Sequence, residues 1–218
     1  MDTYKLPDPF YLMVVLTLLS LAPFFAVMIT SFIKITVVLS IVKNSLGLQQ
    51  VPQTMVVNGL AVILTFYIMY PVADDMYEKA RKVDTSDKSL ATIERVFVEC
   101  RGPLRDFLYK HAHTAEKHFF YKTTQLLWPK HKADQLKPDD LVVLIPAFSI
   151  SELTEAFQIG FLLYLPFIAI DLIVSNILMA MGMMMLSPTT ISLPFKLLLF
   201  VFLDGWSRII HGLVMTYK

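Results

Sequence analysis

Thirty-one consecutive residues, Ala156 to Leu186, carry a single charged side chain, Asp171. As one α-helix this stretch would reach roughly 46 Å, whereas the hydrocarbon core of a bilayer is about 30 Å thick. Such a helix must tilt, kink at Pro166, or run on beyond the lipid. Three further apolar stretches accompany it. Phe10 to Val42 has only Lys34 as a charge and is interrupted by Pro23; Thr54 to Ala73 has no charge; Ile191 to Leu203 has Lys196 alone. The whole chain is 56% hydrophobic and 17% charged, where a soluble domain has about 25% charged residues, so this is a membrane protein. Its mean hydropathy of +0.59 agrees.

Between the apolar stretches the composition changes abruptly. Asp74 to Asp140 holds 13 Lys/Arg, 12 Asp/Glu and four of the five histidines in 67 residues. The pattern predicts an all-α membrane protein of long kinked helical hairpins with a helical extramembrane insertion. Its parts are a first apolar hairpin (1–73), a polar helical extracytoplasmic region (74–140), and a second apolar hairpin with a Met-rich tip and a C-terminal helix (141–218). Within the polar region, Leu90, Ile93, Val96, Phe97, Cys100, Leu104, Phe107 and Leu108 recur at helical spacing. They predict an amphipathic helix bent or broken near Gly102-Pro103. A second helix is expected around Glu116 to Leu127. Ser149-x-x-Glu152 reads as a capping box opening the third apolar segment, with Glu152 and Glu155 well placed at a helix N-terminus. The opening residues, with Lys5 as their one positive charge, read as a retained segment rather than a cleaved signal. If the short links at 41–53 and 187–192 face the cytoplasm, both termini and the large polar region face outward.

The net charge of +1 gives no reason to expect nucleic acid as a partner. Cys100 is the single cysteine, so no internal disulfide can form. No P-loop, His-Glu-x-x-His, Gly-x-Ser-x-Gly or Cys-x-x-Cys pattern occurs, so neither an enzyme nor a cofactor is expected. His111, His113 and His118 invite a metal, but no carboxylate or Cys stands at ligand spacing, and an exposed helix surface is the better reading. Asn44, Asn58 and Asn176 are expected to hydrogen-bond between helices.

Asp171 and Lys196 are costly as lone charges in lipid, about 2.5–3.5 kcal/mol each near the bilayer centre, and so are expected to pair. Within one hairpin they would be level only if its tip lay near Met183–Met184. A tip at Ser187–Thr190 would offset them by roughly 13 Å and favour pairing between neighbouring subunits. Pairing between subunits is the expectation adopted. Five of the twelve methionines (Met179, Met181, Met183, Met184 and Met185) fall in seven residues where the long segment meets Ser187-Pro188-Thr189-Thr190. Methionine is unbranched, polarizable and deformable, which suits a surface that must close around changing shapes.

Asn44-Ser45-Leu46-Gly47-Leu48-Gln49-Gln50-Val51-Pro52 with Asn58-Gly59-Leu60-Ala61 resembles the signature of the FliP/SctR family of type III export apparatus proteins. So does the block from Gly160 to Trp206. The Leu48–Pro52 link and the lack of a cleaved signal resemble the injectisome branch more than the flagellar one. The resemblance implies a pore-forming core subunit of an export gate in the bacterial inner membrane, passing unfolded protein substrates. It implies five copies completed by SctS and SctT, contacts with lipid and with other export-apparatus and basal-body proteins, and a role in virulence. It also implies that Met183, Met184 and Met185 form a gasket at the pore constriction and that Asp171 and Lys196 form an inter-subunit pair. The alternative is a small-solute transporter or ion channel subunit, weakened by the lack of an internal repeat.

Overall fold

The computed structural model describes residues 9–48, 52–82, 90–183 and 185–218, and every regular element among them is an α-helix. In chain order these are α1 (Pro9–Met28), α2 (Phe32–Ser45), α3 (Thr54–Lys82), α4 (Leu90–His111), α5 (Thr114–Leu127), α6 (Lys130–Ala133), α7 (Leu141–Ala180), α8 (Pro188–Phe202) and α9 (Gly205–Met215). Among the described residues, α3 and α7 are long and apolar enough to cross a membrane, and up to four spans result if each of two bent helix pairs counts as one.

The 40 residues of α7 extend about 60 Å, twice the thickness of a hydrocarbon core. Its two halves solve that mismatch differently. Val143, Leu144, Ala147, Phe148, Ser151, Glu152, Ala156 and Gly160 are buried in the first half, under α2, α4 and α5. In the second half only Phe167 and Leu178 are buried, while Phe161, Leu162, Leu165, Leu172, Ile173 and Ile177 are exposed. The chain thus covers one half with its own helices and leaves the other to lipid or to other proteins.

The core centres on α2. Ile35, Val38, Leu39 and Val42 recur at helical spacing and are wholly buried against Val57 and Ala61 of α3, Ala156 and Phe167 of α7, Phe200 of α8 and Leu213 of α9. A second cluster joins Phe107, Leu108 and Ala112 of the polar region to Leu144, Ala147 and Phe148 of α7. The polar region is therefore anchored on α7 rather than suspended from it. α2 and α7 approach closely at Gly160, where a Cβ would lie 2.4 Å from Cδ1 and 3.2 Å from Cβ of Ile41.

Several boundaries differ from those read in the sequence. The division at 73/74 falls inside α3, which continues to Lys82. Gly102-Pro103 lie inside a continuous α4, and Pro146 and Pro166 inside a continuous α7. The apolar stretch from Phe10 to Val42 breaks at residues 29–31 with a 68° bend, not at Pro23, which sits within α1. α7 begins at Leu141, so Ser149 is in mid-helix and caps nothing. Its hydroxyl bonds the carbonyl oxygens of Ile145 and Met28 instead. The side chains of Leu90, Ile93, Val96 and Phe97 lie outside the described residues, as do Gln49 to Val51.

Gly160→Val should lower stability by about 1–3 kcal/mol through overpacking against Ile41. Ile41→Ala in the same chain should recover part of that loss, measured as the unfolding midpoint in detergent.

Candidate functional site: two buried ion clusters and a methionine tip

α7 ends in a glycine-dependent cap. Gly182 takes φ +72°, its N–H bonds the Met179 carbonyl at 3.0 Å, and the Met183 N–H bonds the Leu178 carbonyl at 2.9 Å. This closure turns the chain toward α8, which opens at Pro188, a residue suited to the first helical turn. Met183 and Met185 lie on the resulting tip and are exposed, Met185 fully at 100%. Met184 lies outside the described residues. Beneath the tip an apolar groove of about 430 Å³ runs between α7 and α8, lined by Ile173, Ile177, Met181, Ile191 and Phe195 among others.

Lower in the same hairpin, Nζ of Lys196 lies 2.6 Å from Oδ2 of Asp171. Ser192 donates to Oδ1 of Asp171 at 2.5 Å, and Lys196 also donates to the Ser45 carbonyl at 3.0 Å. Lys196 is 4% exposed. The two charges meet within one chain, standing level where α7 ends at Ala180 and α8 starts at Pro188. The Ser45 contact adds the end of α2 to the brace. A cavity of about 660 Å³ with a mixed lining opens beside it, bounded by Asn44, Ser45, Leu48, Asp171, Leu193 and Lys196 among others.

A second ion cluster was not anticipated from the sequence. Lys34, 1% exposed, lies 2.8 Å from Oε1 of Glu152 and 2.7 Å from Oε2 of Glu155. Nε2 of His113 is 2.7 Å from Oε1 of Glu155, and the Tyr217 hydroxyl bonds Oε2 of Glu152. Nζ of Lys34 also sits 4.4 Å from the centre of the Tyr217 ring. Glu152 and Glu155 therefore serve a buried ammonium, not a helix N-terminus. The signal was present: a lone lysine in a long apolar stretch needs a partner for the same reason that Asp171 does.

Of the three histidines only His111 departs from the expected exposed surface. His111 ends α4 and His118 lies within α5. His111 is half-buried against the rings of Phe107 and Tyr217, His113 caps α5 beside Glu155, and His118 is exposed. Among the described residues no group of His, Cys, Asp or Glu side chains could hold a metal ion. Asn44 and Asn176 are exposed and Asn58 is half-buried.

Fold and site define an all-α membrane protein whose apolar helices are tied together by buried ion pairs and which presents a methionine tip. A model of the FliP family matches residues 15–213. The Yop proteins translocation protein R of Yersinia pestis is 53% identical over 213 residues, covering 98% of each chain. The hypersensitivity response secretion protein HrcR of Ralstonia nicotianae is 49% identical over 210 residues, 95% of this chain and 96% of its own. The virulence protein YscR of Salmonella typhimurium is 46% identical over 215 residues, 98% of this chain and 100% of its own. The chain belongs to the FliP family, and its relatives are those of the injectisome branch of type III secretion.

Two predictions follow from the ion pairs and from His111. Asp171→Ala should cost about 3–5 kcal/mol by leaving Lys196 buried and unpaired, and Asp171→Ala with Lys196→Met should cost clearly less, measured by unfolding in detergent. Burial, and then the charges of Lys110 and Lys34, push His111 from 6.5 down to about 4. The unfolded chain therefore takes up this proton from about pH 6.5 downward while the folded chain resists until about pH 4. The stability gained by keeping His111 neutral is present above pH 6.5 and lost as pH falls toward 4. At this half-buried position the effect should amount to about 1–2 kcal/mol. Denaturation midpoints at the two ends of that range should differ less in His111→Gln.

Proposed function

We propose that the chain is a pore-forming core subunit of a type III export gate in the bacterial inner membrane, passing unfolded protein substrates. The relatives are type III secretion translocation proteins, and the family is a structural component of the secretion apparatus. In this reading five copies surround a central passage together with SctS and SctT. Further export-apparatus and basal-body proteins and lipid cover the apolar faces left exposed on α3, α7 and α8.

The observation that carries the reading is the methionine tip on a braced hairpin. Met183 and Met185 are exposed at the end of two helices that Asp171 and Lys196 hold level. A pore for unfolded chains has two opposing needs. Its frame must resist the passing polypeptide, and its narrowest part must fit side chains of every size while excluding ions. A buried ion pair supplies the first, and thioether side chains with three rotatable bonds supply the second. Met183, Met184 and Met185 act as the gasket, and nothing in the mechanism asks the chain to do covalent chemistry. The polar region between α3 and α7 faces away from the cytoplasm.

Replacing Met183, Met184 and Met185 together with Ala should leave assembly with the partner subunits intact and raise the ionic conductance of cells or reconstituted bilayers several-fold. Conductance equal to that of the native gate would count against the gasket. The mass of the purified complex tests the frame independently: five copies with SctS and SctT are expected, and a stable standalone dimer would exclude the ring.

A further inference from the structure

Four charged side chains are buried among the described residues: Lys34, Lys43, Glu152 and Lys196. Lys34, Glu152 and Lys196 each have an opposite charge within 2.8 Å. Lys43 is the exception. It is 8% exposed, and among the described residues no carboxylate lies within 4.0 Å of its ammonium. Its contact is the Thr54 hydroxyl, at 3.3 Å. The nearby link residues Gln49, Gln50 and Val51 carry no charge either. A buried ammonium without a countercharge is costly, and one long hydrogen bond to a neutral hydroxyl leaves most of that cost standing.

The surroundings of Lys43 add positive potential. Lys43 lies in the last turn of α2, where helix carbonyls can serve a cation. Those of Val42, Asn44 and Ser45 are already engaged, by the Leu46 N–H and Ser45 hydroxyl, by the Gly47 N–H and by Lys196. The side chain reaches across to Thr54 instead, the first residue of α3. The first amides of a helix have no intrahelical acceptor, and that end carries about half a positive charge. The first turn of α3 holds no acidic residue. The N–H groups of Val56 and Val57 close onto the Gln53 carbonyl at 2.9 and 3.3 Å, so the amides before them lie at the open end of the helix. An ammonium, a hydroxyl and a helix N-terminus therefore converge, which is a donor set suited to phosphate.

The occupant favoured by the surroundings is a lipid. Gln53 and Thr54 are exposed, so the site opens at the surface. Met55 and Val56 stand exposed beside it, and Val62, Ile63 and Phe66 continue an apolar surface along α3. Thr54 to Ala73 is free of charge, and its helix reaches about 30 Å, the thickness of a hydrocarbon core. Lys43 and Thr54 thus stand where this span leaves the lipid, level with the headgroups, and acyl chains lie along the exposed face of α3. A free anion makes no use of that face. Choline and ethanolamine headgroups bring their own cation, whereas a headgroup of net negative charge takes Lys43 as its counterion. We infer that Lys43, Thr54 and the N-terminus of α3 form a binding site for the phosphate of an anionic phospholipid. The site rests on α3 crossing a membrane and not on the pore reading, so either can fail alone.

Native mass spectrometry of the full chain in detergent, titrated with phosphatidylglycerol, phosphatidylcholine or inorganic phosphate, tests it. Phosphatidylglycerol should bind about tenfold more tightly than phosphatidylcholine, and inorganic phosphate should give no adduct at the same concentration. Lys43→Met should remove the preference and Lys43→Arg should keep it. Without lipid, Lys43→Met should unfold in detergent at the native midpoint or above, because it removes an unpaired charge. Equal phosphatidylglycerol binding by the native chain and Lys43→Met overturns the inference, as does inorganic phosphate binding as tightly as the lipid. So does a lower lipid-free midpoint in Lys43→Met, which makes the lysine a structural group. A carbodiimide crosslink from Lys43 to a carboxylate of another subunit in the assembled complex overturns it in favour of a protein partner.

Discussion

All three charged residues of α7 are spent on two buried lysines. Glu152 and Glu155 hold Lys34, the sole charge between Phe10 and Val42; Asp171 holds Lys196, the sole charge between Ile191 and Leu203. Removing one partner from such a pair leaves an uncompensated charge, at about 3–5 kcal/mol. The pairs therefore act together with the packed face of α2 in fixing the register of α2 and α8 along α7. Glu155 and Asp171 are 16 residues apart, about 24 Å of helix, so the two fastenings are well separated. α7 is the spine, and the other helices are located by where their lone charge meets it.

From that spine the division of labour follows. The first half of α7 carries the Lys34 cluster and is covered by α2, α4 and α5, so this half behaves as the inside of a folded domain. The second half carries Asp171 and exposes aliphatic and aromatic side chains on most of its surface. An apolar surface of that extent has to be met by lipid or by protein. In the proposed gate it is met by neighbouring subunits and lipid, and the tip beyond it is left for the substrate.

The apolar stretches, the charged insertion, the methionine tip and the need to pair Asp171 with Lys196 were all legible, because each is a local statement about composition or about the cost of a charge in lipid. What could not be read was contact order. That Asp171 meets Lys196 in its own chain depends on Gly182 closing α7 five residues before the Ser187-Pro188 turn. Lys34 stands as a lone charge whose partners lie more than a hundred residues away, beyond any local pattern. Ser149-x-x-Glu152 is a strong local start signal, and it drew Glu152 and Glu155 to an imagined helix end. The eight residues Leu141 to Phe148 that displace the true start depend on a tertiary surface, the underside of α4 and α5, which no local pattern reports.

The central claim is that a hairpin braced by Asp171 and Lys196 holds soft side chains against a passing chain. Its most direct test is a photo-crosslinking amino acid in place of Met185, in an assembled complex with a secreted substrate arrested in transit. Crosslinks from position 185 to the substrate, lost when the substrate is absent, are the expected result. Crosslinks only to lipid or to the same chain, unchanged by the arrested substrate, would contradict it.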